Sequence, residues 1–370
     1  MEPVLNEQQN LLRDSAVRLC RSVGGPKRAR QLRNDAIELD AAAWKQMVAA
    51  GWVGTAVPEA EGGLGLGTFE LSLAMEEAGR QLLAVPLVEA SAAAWAIARA
   101  ERRSAGLLEK LIDGSALVVP ALSQEGWSGA HASVPLARGD SKRPRLDGRL
   151  SFIPYAPSAS DFLVLAADDR GESLLCVIPK NAAGVSAKTV VNVDGSTASE
   201  LTLADAALDE TRIIARSDRA RELASQVQTL LVLGASAELV GVASAALDMT
   251  LDYIKLRQQF GKPLGSFQAL QHRCADRFVD IELNRSLVYR VFSAWDTGQA
   301  HPAMASAAKA RSSRCALETT RTALQFHGAI GYTDEHDIGL YYKRAMVLAA
   351  LYGNESNHTT RFSRLTLAAS

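Results

Sequence analysis

Four long stretches of helical periodicity close this chain, at roughly 219 to 256, 266 to 298, 302 to 328 and 335 to 350, with apolar residues three and four apart. Each such helix carries an apolar stripe that has to be covered, and four in succession predict a bundle. The same spacing runs from Asn6 to about Gly114, as in L-L-R-D-S-A-V-R-L-C and W-K-Q-M-V-A-A-G-W-V, and predicts an α-helical subdomain. Near Ala116 the pattern changes to short apolar runs, A-L-V-V-P-A-L, D-F-L-V-L-A-A, S-L-L-C-V-I-P and S-E-L-T-L, separated by Gly, Asp, Ser and Pro clusters. Short runs punctuated by turn residues predict strands. The expected organisation is α+β: an N-terminal α-helical domain over 1–115, a middle β-domain over 116–216 and a C-terminal four-helix bundle over 217–370. There is no internal repeat or low-complexity tract.

A chain of 370 residues, nearly half of them apolar, is long for one core and agrees with two or three packed subdomains. Its 40 basic and 41 acidic residues are dispersed, so no nucleic-acid-binding or polybasic membrane surface is expected. Cys20, Cys176, Cys274 and Cys315 stand singly, without C-x-x-C spacing, which argues against a metal site or a disulfide framework and fits a reducing cytoplasm. The N-terminus lacks a basic segment followed by an apolar run, and no window approaches ~18 uninterrupted apolar residues, so a soluble protein without a signal peptide is expected. His272, His327, His336 and His358 do not form a metal-spaced set. His327 and His336 flank the Gln325 turn and read as structural.

Two segments stand apart. R-Q-Q-F-G-K-P-L-G-S-F-Q-A-L-Q-H runs from Arg257 to His272, and Q-F-H-G-A-I-G-Y-T-D-E-H from Gln325 to His336. Each sets Gln, Gly and aromatic residues at a break between helical patterns, the first with Arg257 and the second without an arginine, where a large planar, phosphorylated ligand can be gripped. A flavin dinucleotide needs cationic or backbone donors for its pyrophosphate, polar partners for its ring edge and adenine, and flat apolar walls.

These segments resemble the acyl-CoA dehydrogenase family, and further pieces of that family's pattern follow in order: P-E-A-E-G-G-L-G from Pro58, M-E-E-A-G from Met75, A-L-S-Q-E-G-W-S-G from Ala121 and Y-K-R from Tyr342. The resemblance covers nearly the whole chain. It implies FAD as cofactor, an acyl-CoA substrate and electron transfer to an electron-transfer flavoprotein. Arg257 and Phe260 match positions that reach the flavin nucleotide of a neighbouring subunit, with Gln268 in the F-Q segment that follows. Gln325, Gly328 and Ala329 match a Q-x-x-G-G turn beside the adenosine and pyrophosphate, Ala329 replacing the second glycine. Ser123 keeps a hydroxyl that faces the flavin ring, but Gln124 and Glu125 replace a Glu-Pro pair. Phe152, Ile153 and Pro154 stand where the family has Trp-Ile-Thr; Phe152 can still stack on the ring, whereas Pro154 supplies neither hydroxyl nor N–H. The P-E-x-x-G-G turn reads as structural first, and as a wall of the acyl pocket second.

The implied chemistry is α,β-dehydrogenation, in which a Glu in an apolar pocket removes the proton next to the thioester carbonyl while hydride leaves the β-carbon for the flavin. Most members carry that Glu in a Y-E-G turn near the C-terminus, and some on the first helix of the bundle. Counting from Arg344 puts the turn position on Gly353, and from Arg361 on Asn354; the helix position falls on Leu231. Thr229 and Val232 replace an Asp and an Arg of the same region. Two carboxylates are candidates to substitute as base: Glu355, one or two residues out of register, and Glu238, two turns beyond Leu231 on roughly the same face. Glu238 also reads as a helix anchor through an ion pair. The expectation is the diverged, base-lacking subunit of a heteromeric enzyme, an α2β2 heterotetramer with a homologous dehydrogenase chain. The alternatives are a self-sufficient homo-oligomer using Glu355 or Glu238, and a flavin-free structural or regulatory subunit.

Overall fold

The computed structural model describes residues 5–102, 106–122, 134–139 and 143–367. Helical, β and helical segments follow one another along the chain as expected, but they assemble into two units that interleave in sequence: Met1–Asp35, Thr68–Leu83 and Val232–Ser370 in one, Ala36–Gly67 and Ala84–Leu231 in the other.

The first unit is helical. It holds α1 (Glu7–Val23), α2 (Pro26–Asn34), α4 (Thr68–Arg80), the second part of α7 (Ser217–Leu256), α8 (Gln268–Asp296), α9 (Pro302–His327), α10 (Ile338–Ala350) and α11 (Glu355–Leu367). The core-facing row of α7, Leu239, Val242, Ala243, Ala246, Leu247 and Ile254, keeps the three-and-four spacing and packs with Ala316, Ala323 and Leu324 of α9 and Ile338, Tyr341 and Leu348 of α10. Where α4 crosses α7, a Cβ on Gly79 would lie 2.3 Å from the Glu238 oxygen and one on Gly241 1.9 Å from the Glu76 oxygen, so both glycines are there to let two backbones touch. A polar network is buried beside that crossing. Arg285 of α8 pairs with Glu76 at 3.0 Å and donates to Ser244 at 2.7 Å, while Tyr289 donates to Glu76 at 2.8 Å. Asp296 closes α8 and accepts from Thr68 and Phe69, capping the start of α4.

The expected helices match α7 to α10 within a few residues, but α11 is an additional helix. By length and composition α7 is apolar enough to cross a membrane; 94% of its most apolar stretch is buried inside the protein, as in the core helix of a globular unit.

The second unit is built on an eight-stranded sheet. Its strands are β1 (Val118–Ala121), β2 (Leu136–Arg138), β3 (Arg145–Pro154), β4 (Asp161–Asp168), β5 (Ser173–Pro179), β6 (Val185–Val191), β7 (Thr197–Ala207) and β8 (Ile213–Arg216), ordered β6-β7-β3-β2-β4-β5-β8 with β1 also paired to β4. The buried runs of β4 and β5 form the antiparallel centre, and β6 is an exposed edge. Of the helices α3 (Ala41–Ala49), α5 (Leu87–Ala98) and α6 (Leu107–Ile112), α5 is buried on nearly every side, Glu89 and Ser91 included, and packs against β1. The Pro58–Gly67 segment closes back on its own unit, with Leu64, Gly65 and Leu66 donating to the carbonyls of Gly54, Val57 and Thr55.

Candidate functional site

The helical unit collects both sequence motifs at adjoining helix ends. α7 stops at Leu256, the Arg257 N–H still bonded to the Tyr253 carbonyl, and a two-stranded hairpin of β9 (Gln258–Gln259) and β10 (Lys262–Pro263) follows. Its two turn residues, Phe260 at φ +55° and Gly261 at φ +78°, both lie in the left-handed region that a tight two-residue hairpin demands. Phe260 is 86% exposed, so a bulky aromatic side chain is held at a costly backbone angle and presented to solvent. The Phe267 ring meets it edge to face, and the Lys262 ammonium sits 4.3 Å above Phe267. Gln268 opens α8 with its side chain exposed. Among the described residues the Arg257 guanidinium makes no hydrogen bond or ion pair and is exposed.

Tyr253, one turn before Arg257, ties this corner to the second motif. Its ring stacks on His327 at 4.3 Å and its hydroxyl donates to the His327 carbonyl at 3.4 Å. Sequence reasoning missed Tyr253, although its i, i+4 relation to Arg257 was a usable signal. Gln325 is exposed on the last turn of α9. Gly328 ends that helix at φ +67°, ψ −143°, a conformation open essentially to glycine, with nothing within 4 Å of where a Cβ would stand. Ala329 is exposed and keeps a negative φ, so replacing the second glycine carries no backbone penalty. Arg30 and Arg33 of α2 pair with Asp337 and Asp334 and hold the following loop. Arg33 keeps the Asp334 carboxyl well below the usual carboxylate range, at about 2.

In the sheet unit, Phe152 occupies a bulge of β3 opposite β7, at φ +60° and 59% exposed, a second aromatic held out at a strained angle. Pro154 ends β3 buried and without an N–H. Ser123, with Gln124, Glu125, Ser128 and Gly129, lies outside the described residues.

Both candidate carboxylates, Glu355 and Glu238, are paired with arginines. Gly353 sits at φ +102° and its carbonyl accepts from Lys309 at 2.9 Å. Asn354 caps α11 in a reciprocal pair with Asn357. Glu355 opens α11 and accepts from the Arg314 Nε at 2.7 Å, on a partly exposed surface where a carboxylate also complements the helix dipole. Glu238 is buried and pairs at 2.9 Å with Arg344, the arginine of Y-K-R, in agreement with the anchor reading. Leu231 is buried, as are Thr229 and Val232. Among the described residues no His, Cys, Asp and Glu grouping could hold a metal.

Beneath the Tyr352–Asn354 turn lies an unforeseen pair of buried bases. Lys309 of α9, without exposed surface, donates to the carbonyls of Ala349 and Gly353 and to Ser313; burial pushes its ammonium down to about 7. His358 of α11 donates to the Tyr352 carbonyl at 2.9 Å, and burial followed by the neighbouring Lys309 charge lowers it to about 4. The lone lysine in an apolar helix pattern was its only sequence signal.

Comparison with known proteins shows the family and the fold. The family models for the acyl-CoA dehydrogenase N-terminal and C-terminal domains match residues 6–114 and 233–364. Acyl-CoA dehydrogenase FadE27 of Mycobacterium tuberculosis is 28% identical over 352 residues, covering 92% of this chain and 91% of that protein. Among solved structures, a variant of the Tcur3481-Tcur3483 steroid ACAD superposes with a TM-score of 0.89 at 29% identity, over 98% of this chain and 99% of that one. The ChsE4-ChsE5 complex from Mycobacterium tuberculosis gives 0.88 at 25% identity, over the full length of both chains.

Proposed function

The chain belongs to the acyl-CoA dehydrogenase family, and from that premise we propose that it is the base-lacking subunit of a heteromeric, FAD-dependent acyl-CoA dehydrogenase. The observation that carries this reading is the Tyr352–Asn354 turn. Where the family places its glutamate, this chain has a glycine at positive φ whose carbonyl accepts from the buried Lys309, then an asparagine spent on a helix cap. FAD, when bound, would accept the hydride that leaves the acyl β-carbon. The residues present fit its nucleotide half: an exposed, unengaged Arg257, the exposed Gln268 and Gln325, and the Gly328–Ala329 turn with open space for a pyrophosphate. They fit the ring less well, since Pro154 has no donor to offer. Phe260 and Phe152, both exposed at strained angles, are each proposed as a wall for a flavin.

Residues aimed outward in this way serve a ligand completed by another chain. The proposed partner is a homologous dehydrogenase subunit that contributes the base and most of the acyl site, in an α2β2 arrangement, with an electron-transfer flavoprotein as electron acceptor. Two neighbours described as two-component assemblies, Tcur3481-Tcur3483 and ChsE4-ChsE5, support this, and the steroid description of the first favours a bulky acyl group. The buried, single thiols agree with a reducing cytoplasm as its setting.

The test is the visible spectrum and flavin content of the chain purified alone and with a co-expressed homologous dehydrogenase, before and after acyl-CoA is added. Colour and bleaching that arise only with the partner, at about one flavin per two chains, support the proposal. A yellow homo-oligomer that bleaches by itself overturns it and restores Glu355 or Glu238 as base, to be separated by Glu355→Gln and Glu238→Gln. A colourless complex identifies a flavin-free structural subunit.

A further inference from the structure

Tyr253, His327 and His336 form a three-ring cluster at the corner that joins the two nucleotide segments. The His327 and His336 ring centroids are 4.4 Å apart, and Tyr253 meets His336 edge to face at 6.0 Å while stacking on His327. Hydrogen bonding fixes where each imidazole carries its proton. His327 Nδ1 lies 2.7 Å from the Ala323 carbonyl, which only accepts, so Nδ1 is the donor and Nε2 carries a lone pair. That Nε2 is buried and has no hydrogen-bond partner. A second proton there would be a buried donor with nothing to bond. His336 has the opposite tautomer: its Nδ1 accepts from the Ile338 N–H at 3.1 Å, at the start of α10, so its proton is on Nε2. Protonating Nδ1 would break that bond and set a cation at the positive end of a helix.

We propose that Tyr253, His327 and His336 are positioning residues which hold the Arg257 end of α7 in register with the Gln325–Ala329 turn, and which do so only while both imidazoles are neutral. This rests on the reading that these segments bind the flavin nucleotide. Acidification then loosens the 328–337 segment and releases the nucleotide before the helical unit unfolds. The charged and titratable groups facing the cluster are Arg30 of α2, Asp337 of the loop and Tyr253 of α7, with the Arg33–Asp334 pair beside them. Burial lowers both imidazoles, and Arg30 adds to this at His336 against the opposing pull of Asp337.

The experiment combines histidine NMR titration of the full chain with hydrogen exchange on peptides spanning 250–258 and 325–338, at about pH 7.5 and about pH 5. Both imidazoles are expected to titrate below the ordinary histidine range. Protection of 325–338, corrected for intrinsic exchange, should fall by about tenfold at the lower pH while α8 stays protected. His336→Asn keeps an acceptor for the Ile338 N–H but cannot titrate, so it should flatten most of that loss; Tyr253→Leu should lower protection at both pH values. Imidazoles that titrate normally, or a His336→Asn variant as acid-sensitive as the wild type, overturn the proposal. Flavin retention of the partnered complex is followed over the same pH range. A complex without flavin at any pH sinks the nucleotide reading, while exchange and NMR still decide the role of the three rings.

Discussion

Lys309 Nζ donates to the carbonyl oxygen of Gly353 at 2.9 Å from a position with no exposed surface, binding α9 to the Tyr352–Asn354 turn. The same amine holds the Ala349 carbonyl and Ser313, so one side chain organises the end of α10.

Replacing Lys309 with Met leaves the Gly353 carbonyl buried without its donor and the Ala349 carbonyl with only the longer bond from Ser313, at a cost of about 1–3 kcal/mol. The effect depends on pH in a defined direction. The folded lysine is lowered to about 7, whereas in the unfolded chain it titrates near ~10.4, so between these values the unfolded state binds the extra proton and wild-type stability gains with rising pH. Urea unfolding of both proteins should show the gap between wild type and Lys309→Met widening from about pH 7 to about pH 10. A gap that narrows would mean the lysine is charged throughout.

A glutamate placed in the Tyr352–Asn354 turn is not expected to act as a base by itself. Gly353→Glu forces an L side chain into φ +102° and should destabilise by about 1–2 kcal/mol. Asn354→Glu removes a helix cap worth about 1 kcal/mol. Neither variant alone is expected to reduce added FAD with an acyl-CoA, monitored by bleaching. Turnover in Gly353→Glu would show that the turn remodels easily and that the chain lost its base by one substitution.

How much of this was legible in the sequence depended on whether a residue's role was periodic or local. The row from Leu239 to Ile254 announced α7 because burial imposes its period, and the runs of β1, β4, β5 and β7 stood out because they are apolar. β6 and α11 did not: the V-S-A-K-T-V-V of β6 forms an exposed edge with no buried face to impose a period, and only His358 of α11 is buried. Arg257, Phe260, Gln325 and Gly328 were singled out by their motifs as candidates, and the structure sets them on adjoining helix ends through a tyrosine that no motif contained. The Lys309–Gly353 bond joins residues 44 apart and had no local trace.

Arg285 tests the buried network. Its Arg285→Met variant leaves the Glu76 carboxylate in the crossing of α4, α7 and α8 without its cation, and a loss of about 3–5 kcal/mol is expected. Adding Glu76→Gln should return part of it, because a neutral amide no longer needs the guanidinium. A double variant as unstable as the sum of the singles would show the two side chains to act independently.

Phe260 separates stability from function. At φ +55° an L residue costs about 1–2 kcal/mol relative to its preferred backbone, and with 86% of its surface exposed Phe260 recovers little by packing beyond the edge of Phe267. Glycine relieves the strain but raises the entropy of the unfolded chain by about 0.5–1 kcal/mol, so Phe260→Gly should leave the chain as stable as the wild type or up to about 1 kcal/mol more stable. Phe260→Ala, which keeps the strain, should lie below it. If the ring is displayed as a wall for the flavin nucleotide, both variants lose flavin from the partnered complex in dialysis, by about fivefold to thirtyfold in affinity, since an aromatic wall contributes ~1–2 kcal/mol. A Phe260→Gly protein that is markedly less stable, yet holds its flavin, would make the ring a structural clasp on the hairpin instead. Greater stability with weaker flavin binding is the combination that a residue kept for its ligand should give.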